Sequence, residues 1–104
     1  TLPLEVFVRH REDYELVDAR MDAEFQSGHI PGAVNLPVSQ ALRLRRNGQA
    51  LLSQSRSRPV LVYCDGADCN ASAQVGRWLQ EQGYRVQILA GGYPGWLAAQ
   101  RKDR

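Results

Sequence analysis

The sequence predicts an α/β domain with a central, mainly parallel sheet and helices on both faces. Three observations predict it. Short β-branched runs bounded by polar residues read as buried strands. Helical patterns alternate with those runs along the chain, the arrangement of a covered parallel sheet. Glycines stand where the helices should stop, at Gly28, Gly48 and Gly83.

The elements follow in order. "YELVDA" (14–19) is the first strand, and "MDAEFQSG" (21–28) a short helix ending at Gly28. "GAVNL" (32–36) is a short strand, and "VSQALRLRRNG" (38–48) a helix ending at Gly48. "PVLVYC" (59–64) is a third strand that stops on a cysteine. In "ASAQVGRWLQEQG" (71–83), Ala71, Val75, Trp78 and Leu79 share one face while Gln74, Arg77 and Glu81 take the other. Asn70 is its expected N-cap. "RVQIL" (85–89) is the fourth strand, and a last helix begins near Tyr93 or Pro94 and carries Trp96 and Leu97 inward.

Residues 1–104 are expected to form one domain, since 104 residues suit a single core. The absence of an initiator Met reads as a processed form or a domain cut from a longer chain. No apolar run approaches the length of a membrane span. The start lacks the basic region and apolar core of a signal peptide. A net charge of +2 does not call for a nucleic-acid partner. Arg43, Arg45 and Arg46, and again Arg56 and Arg58, cluster without interleaved aromatics, so they read as a solvated helix face and a polar loop.

The chemistry centres on "LVYCDGADCNAS" (61–72), which holds both cysteines of the chain. A bridge between Cys64 and Cys69 would close a tiny loop and remove little chain entropy, so the pair is not a structural staple. A reducing, cytoplasmic setting is therefore expected. Cys64 stands where a strand ends and a helix is about to begin, and parallel sheets place their sites at such carboxyl ends. A helix N-terminus lowers a thiol's pKa. If the amides of Asp65, Gly66, Ala67, Asp68, Cys69 and Asn70 wrap the sulfur, they form a cradle for a thiolate, a persulfide or a small oxyanion. The plain alternative is a buried cysteine acting as a small hydrophobe. His10 and His29 show no ligand spacing, so neither a metal nor another cofactor is expected.

Two further stretches carry a resemblance. "LVDARMDAEFQSGHIPGAVNLP" (16–37) closely resembles the N-terminal signature of rhodanese-like domains: Asp-x-Arg, Glu-Phe, Gly-His-Ile-Pro-Gly-Ala and Asn-Leu-Pro. "GYRVQILAGGYPGW" (83–96) resembles the family's ending. The resemblance implies the three-layer rhodanese-like fold. It also implies a sulfurtransferase in which Cys64 takes a sulfane sulfur from a small donor such as thiosulfate, a polysulfide or a persulfide. Cys64 then passes it, through a cysteine persulfide, to a thiol or cyanide acceptor. By the same resemblance Asp18, Arg20, Glu24 and His29 belong to the scaffold, Arg20 pairing with Glu24 and His29 tying the turn.

The chain departs from the family's common loop, Cys-x-x-Gly-x-Arg-Ser. The stretch 64–70 contains no basic residue, and the distance from Cys64 to Gly83 is about two residues longer than the common form, so the loop is expected to be enlarged. Asp65 and Asp68 oppose a dianionic donor, so activity with thiosulfate and cyanide is expected to be weak. Cys69 is either a resolving thiol or an apolar filler. Two rival functions stand beside sulfur transfer: a thiol–disulfide switch of Cys64 and Cys69, and a non-catalytic recognition or sensing module with a fused or partner domain.

Overall fold

The chain folds in the order α1 (Leu4–His10), a 3-10 turn (Arg11–Asp13), β1 (Glu15–Asp18), α2 (Asp22–Ser27), β2 (Val34–Asn35), α3 (Val38–Arg46), β3 (Val60–Tyr63), α4 (Ala71–Glu81), β4 (Val86–Ile88) and α5 (Gly92–Lys102). This is a computed structural model that describes residues 1–52, 57–66 and 70–102. All four expected strands form, each trimmed at its ends. The strands pair in parallel in the order β2-β1-β3-β4. β1 and β3 are the central pair, in register from Glu15 opposite Val60 to Asp18 opposite Tyr63.

Side-chain alternation along the central strands sorts the core into two layers. Val60, Val62 and Cys64 join Val17 and Ala19 on the face covered by α3 and α4, where Ala41, Val75 and Leu79 are fully buried. Leu61 and Tyr63 join Leu16 on the other face, against Phe7 of α1 and Ile30, with Tyr93 and Trp96 of α5 packed beside them. The result is the helix–sheet–helix sandwich expected from the sequence. α4 approaches β4 closely at Gly76, where an added Cβ would meet Val86 and Ile88 at 3.2 and 3.3 Å.

α1 is the element that the sequence reading omits. It has seven residues, and its one buried side chain is Phe7. Helices this short are marginal on their own and owe their stability to packing. Burying one aromatic of this size contributes about 1.5–3 kcal/mol. Just ahead of α1, Leu2 extends the sheet beyond β4: its N–H donates to Ile88 O (2.6 Å), and its carbonyl accepts from Ala90 N–H (2.9 Å). Among the described residues no helix is long and apolar enough to cross a membrane.

Tyr63 pins the turn after α2 to the sheet. Its hydroxyl accepts the Ile30 N–H at 3.0 Å, and the ring is wholly buried. Burial pushes the phenol's pKa upward; the Ile30 contact opposes the rise and the neighbouring Asp18 adds to it. Tyr63→Phe leaves the Ile30 N–H without that partner. It should cost about 1–3 kcal/mol in a urea melt while the far-ultraviolet circular dichroism keeps its wild-type shape. A loss under 0.3 kcal/mol would show that the contact is replaceable.

Candidate active site

The strand order decides where a site can lie. From β1 the chain goes to β2 on one side and then to β3 on the other, so the switch point lies between the carboxyl ends of β1 and β3. Open parallel sheets bind their ligands in that crevice. Cys64 directly follows β3 there, and Ala19 and Arg20 directly follow β1. The Ala19 N–H donates to Tyr63 O at 2.9 Å and keeps the two strand ends together.

Cys64 is 2% exposed. Its carbonyl accepts the Tyr93 N–H at 2.8 Å, which locks the strand end to the first turn of α5. The lock requires Gly92. With φ at +59°, a Cβ on Gly92 would collide with the Cys64 carbonyl oxygen and lie 2.7 Å from the Gly66 nitrogen. On the other side, the Ser72 hydroxyl in the first turn of α4 sits 3.4 Å from Cys64 Sγ and can donate to it. Ser72 itself is 5% exposed. No side chain caps α4 at Asn70, whose backbone is already helical, so the expected side-chain cap is not made. The positive end of an eleven-residue helix therefore faces the sulfur's surroundings. Cys64 is disulfide-bonded in this structure.

Of the six residues expected to supply the cradle, Asp65, Gly66 and Asn70 are described, whereas Ala67, Asp68 and Cys69 lie outside the described residues, as does Arg56. Gly66 takes a φ of +123°, a conformation side chains resist. A cleft of about 420 Å³ opens beside the loop, lined by Gly66, Asn70, Ser72, Leu89, Ala90 and Gly91 among others.

The scaffold residues are arranged differently from expectation at one point. Arg20 pairs with Asp18, not with Glu24. Its Nε donates to both carboxylate oxygens of Asp18 at 3.1 Å, and its Nη2 donates to Asp18 Oδ2 at 2.7 Å and to Gly28 O at 2.6 Å. The guanidinium also lies over the Tyr93 ring, 4.2 Å from its centre. Arg20 stands two residues beyond Asp18, in the bend after β1, and its backbone N–H also donates to Asp18 Oδ1 at 2.9 Å. Burial alone would lower the pKa of Arg20, but the hydrogen bonds and charge of Asp18 outweigh it and raise it. Glu24 instead accepts the Met21 N–H at 3.4 Å at the start of α2. Its pKa is raised, first by the Asp65 carboxyl and then by desolvation. Asp65 also lies 3.9 Å from Arg20 Nη1. His29 does tie the turn: its Nδ1 is 2.9 Å from Phe25 O, and its ring stacks on Phe25 at 3.7 Å.

Ser72 and Gly92 were not among the expected site residues. Ser72 stands eight residues after Cys64, two beyond the serine of the common loop, so a fixed-spacing search passes over it. Gly92 sits in the Gly-Gly pair of the C-terminal motif, whose purpose appears only when α5 is placed against the loop.

Comparison with known proteins agrees with this geometry. A sequence profile of the rhodanese-like domain matches residues 4–99. The chain belongs to the rhodanese-like domain family. A sulfurtransferase of Allochromatium vinosum is 38% identical over 82% of this chain and 73% of its own. An HTH-type transcriptional regulator of Mycobacterium tuberculosis is 34% identical over 88% of this chain, which spans only 39% of the regulator. Among solved structures, a rhodanese-related protein from Thermoplasma volcanium superposes with a TM-score of 0.76, covering 95% of this rhodanese-like chain and 91% of the other at 21% identity. That likeness establishes the shared fold. The relatives named as sulfurtransferases place this rhodanese-like domain in a family that includes sulfur-transfer enzymes.

Proposed function

We propose that this rhodanese-like domain is a sulfurtransferase in which Cys64, once reduced, carries a persulfide between a small donor and a thiol acceptor. The supporting observation is the placement of Cys64 at the switch point of the sheet, with Ser72 Oγ 3.4 Å from its sulfur and the α4 N-terminus behind it. The Cys64 thiolate attacks the sulfane sulfur of R–S–SH, forming Cys64–S–SH and releasing RS⁻ as the old S–S bond breaks. With thiosulfate the leaving group is sulfite and the product is Cys64–S–S⁻. An acceptor thiolate R′S⁻ attacks the outer sulfur of Cys64–S–SH, takes it away as R′–S–SH and regenerates the thiolate. Preset dipoles and a hydroxyl beside the sulfur favour the Cys64 thiolate that begins the first transfer and is regenerated by the second, and they need no reorganisation to do so.

Intact mass spectrometry tests this reading. Reduced and desalted protein, incubated with thiosulfate or with polysulfide, should gain one sulfur that maps to the Cys64 peptide and leaves on addition of cyanide or a thiol. The polysulfide should load faster than thiosulfate. Reduced protein that gains no removable sulfur from either donor would sink the proposal.

The disulfide at Cys64 supports a second reading, a thiol–disulfide switch. Its signature in the same experiment is loss of two hydrogens without a stable sulfur adduct. The match to part of a much longer regulator fits a third role, in which sulfur loading or oxidation of Cys64 is read by an attached domain.

A further inference from the structure

We propose that the seam between α4 and β4 is the subsite for the body of the thiol acceptor, and that Arg77 at its far end selects short peptide-like thiols carrying a carboxylate. The inference deepens the sulfur-transfer reading above and rests on it.

Ser72 joins the sulfur to the seam. Its hydroxyl lies 3.4 Å from Cys64 Sγ, and the same residue lines the cleft of about 420 Å³ beside the loop. A second cleft of about 300 Å³ continues from the first, since Thr1, Ala73 and Ile88 line both. Its further walls are Gly76, Arg77 and Gln80 of α4 with Val86 and Gln87 of β4. Volumes of this order suit small molecules.

Length, charge and main-chain geometry describe the occupant. Along α4, Ser72 and Arg77 are five positions apart, a rise of about 7.5 Å. Two residues of extended peptide span about 7 Å. A thiol seated at Ser72 therefore brings a carboxylate about two residues along its own chain to Arg77. Among the described residues, Arg77 carries the only ionised side chain lining either cleft. Glu81, the next acid along α4, is held by Arg45 at 2.9 and 3.3 Å, and among the described residues no hydrogen bond or ion pair engages Arg77. β4 is also the edge strand of the sheet. Arg85 O and Leu89 N–H bond to β3, so by alternation the Val86 main chain faces the outer edge. That main chain and the Gln80 and Gln87 amides offer partners to the peptide groups of an acceptor.

In the transfer, the acceptor thiolate attacks the outer sulfur of Cys64–S–SH from the first cleft. A new S–S bond forms as the bond to Cys64 Sγ breaks, and the electron pair stays on Cys64 as its thiolate. Arg77 holds the carboxylate and takes no part in the exchange of bonds.

The experiment loads reduced protein with polysulfide, removes the excess and measures sulfur transfer to N-acetylcysteinylglycine and to its C-terminal amide. The two acceptors differ in the carboxylate, and their ratio is compared across variants. Wild type should favour the acid over the amide about two- to fivefold in kcat/KM at low salt, through KM, as an exposed ion pair allows. Arg77→Gln should bring the ratio close to one, Arg77→Glu should invert it, and Arg77→Lys should keep most of it. Added salt should shrink the wild-type preference. Ala73→Phe, at an exposed position shared by both clefts, should raise KM for both peptides and leave 2-mercaptoethanol unchanged. A ratio that is the same in wild type and Arg77→Gln, or peptide KM values that ignore Ala73→Phe, would overturn the inference while leaving sulfur transfer intact. If reduced wild type takes no sulfur from polysulfide, the sulfur-transfer reading falls and this inference falls with it.

Discussion

Gly92→Ala should abolish sulfur loading and lower the thermal midpoint by on the order of 10–20 °C, a loss of roughly 2–6 kcal/mol. Two costs combine. A residue with a side chain at φ +59° stores about 1–3 kcal/mol of backbone strain. The new methyl group would also occupy the space of the Cys64 carbonyl oxygen and the Gly66 nitrogen, both backbone atoms that cannot rotate aside. Relief requires separating α5 from the loop, which breaks the 2.8 Å bond from Tyr93 N–H to Cys64 O and displaces the sulfur. Gly48→Ala supplies the control. Its φ is +67°, and an added Cβ would meet nothing within 4 Å, so it carries the strain alone. If the two variants melt together and Gly92→Ala still accepts sulfur, the proposed contact between α5 and the loop is not what holds Cys64 in place.

Arg20→Ala should cost about 3–5 kcal/mol, the range for a buried ion pair that loses one partner. Asp18 is wholly buried and would keep its carboxylate with the bidentate donor gone, and Gly28 O would lose its 2.6 Å partner. The packing over Tyr93 would go as well. Arg20→Lys should recover only part of the loss, because an ammonium cannot reproduce the planar fork. The sharper test is the double replacement Asp18→Asn with Arg20→Leu. Removing both charges leaves nothing buried and unpaired, so the double variant should be more stable than Arg20→Ala in a urea melt. A single variant within 1 kcal/mol of wild type, or a double variant no better than the single, would show that the pair is dispensable.

These two residues mark the boundary of what was legible in the sequence. The scaffold role of Arg20 could be read from the signature that contains it, but its partner could not. Glu24 lies in that same signature and looked like the natural counter-charge. The structure instead gives that place to Asp18 and leaves Glu24 on the Met21 N–H. Gly92 was visible as half of a Gly-Gly pair, yet its need for a bare Cα comes from Cys64 and Gly66, more than twenty-five positions away. α1 escaped notice for a related reason. Seven residues are too few to display a helical period, and Phe7 is held by Leu16, Ile30 and Leu61 rather than by its own helix.

By itself the sequence determined the four strands, the helix stops at Gly28, Gly48 and Gly83, the family, and the position of Cys64 at the end of a buried strand. All of these are written in local patterns, in strand and helix periods, turn residues and motif spacing. Only the tertiary structure decided which acid answers Arg20 and that Ser72 reaches the sulfur. Those choices depend on which loops the β2-β1-β3-β4 order brings together at one end of the sheet. A charge or a hydroxyl responds to whatever lies within a few ångströms of it in space, and residues far apart in the chain meet there only after the strands have paired.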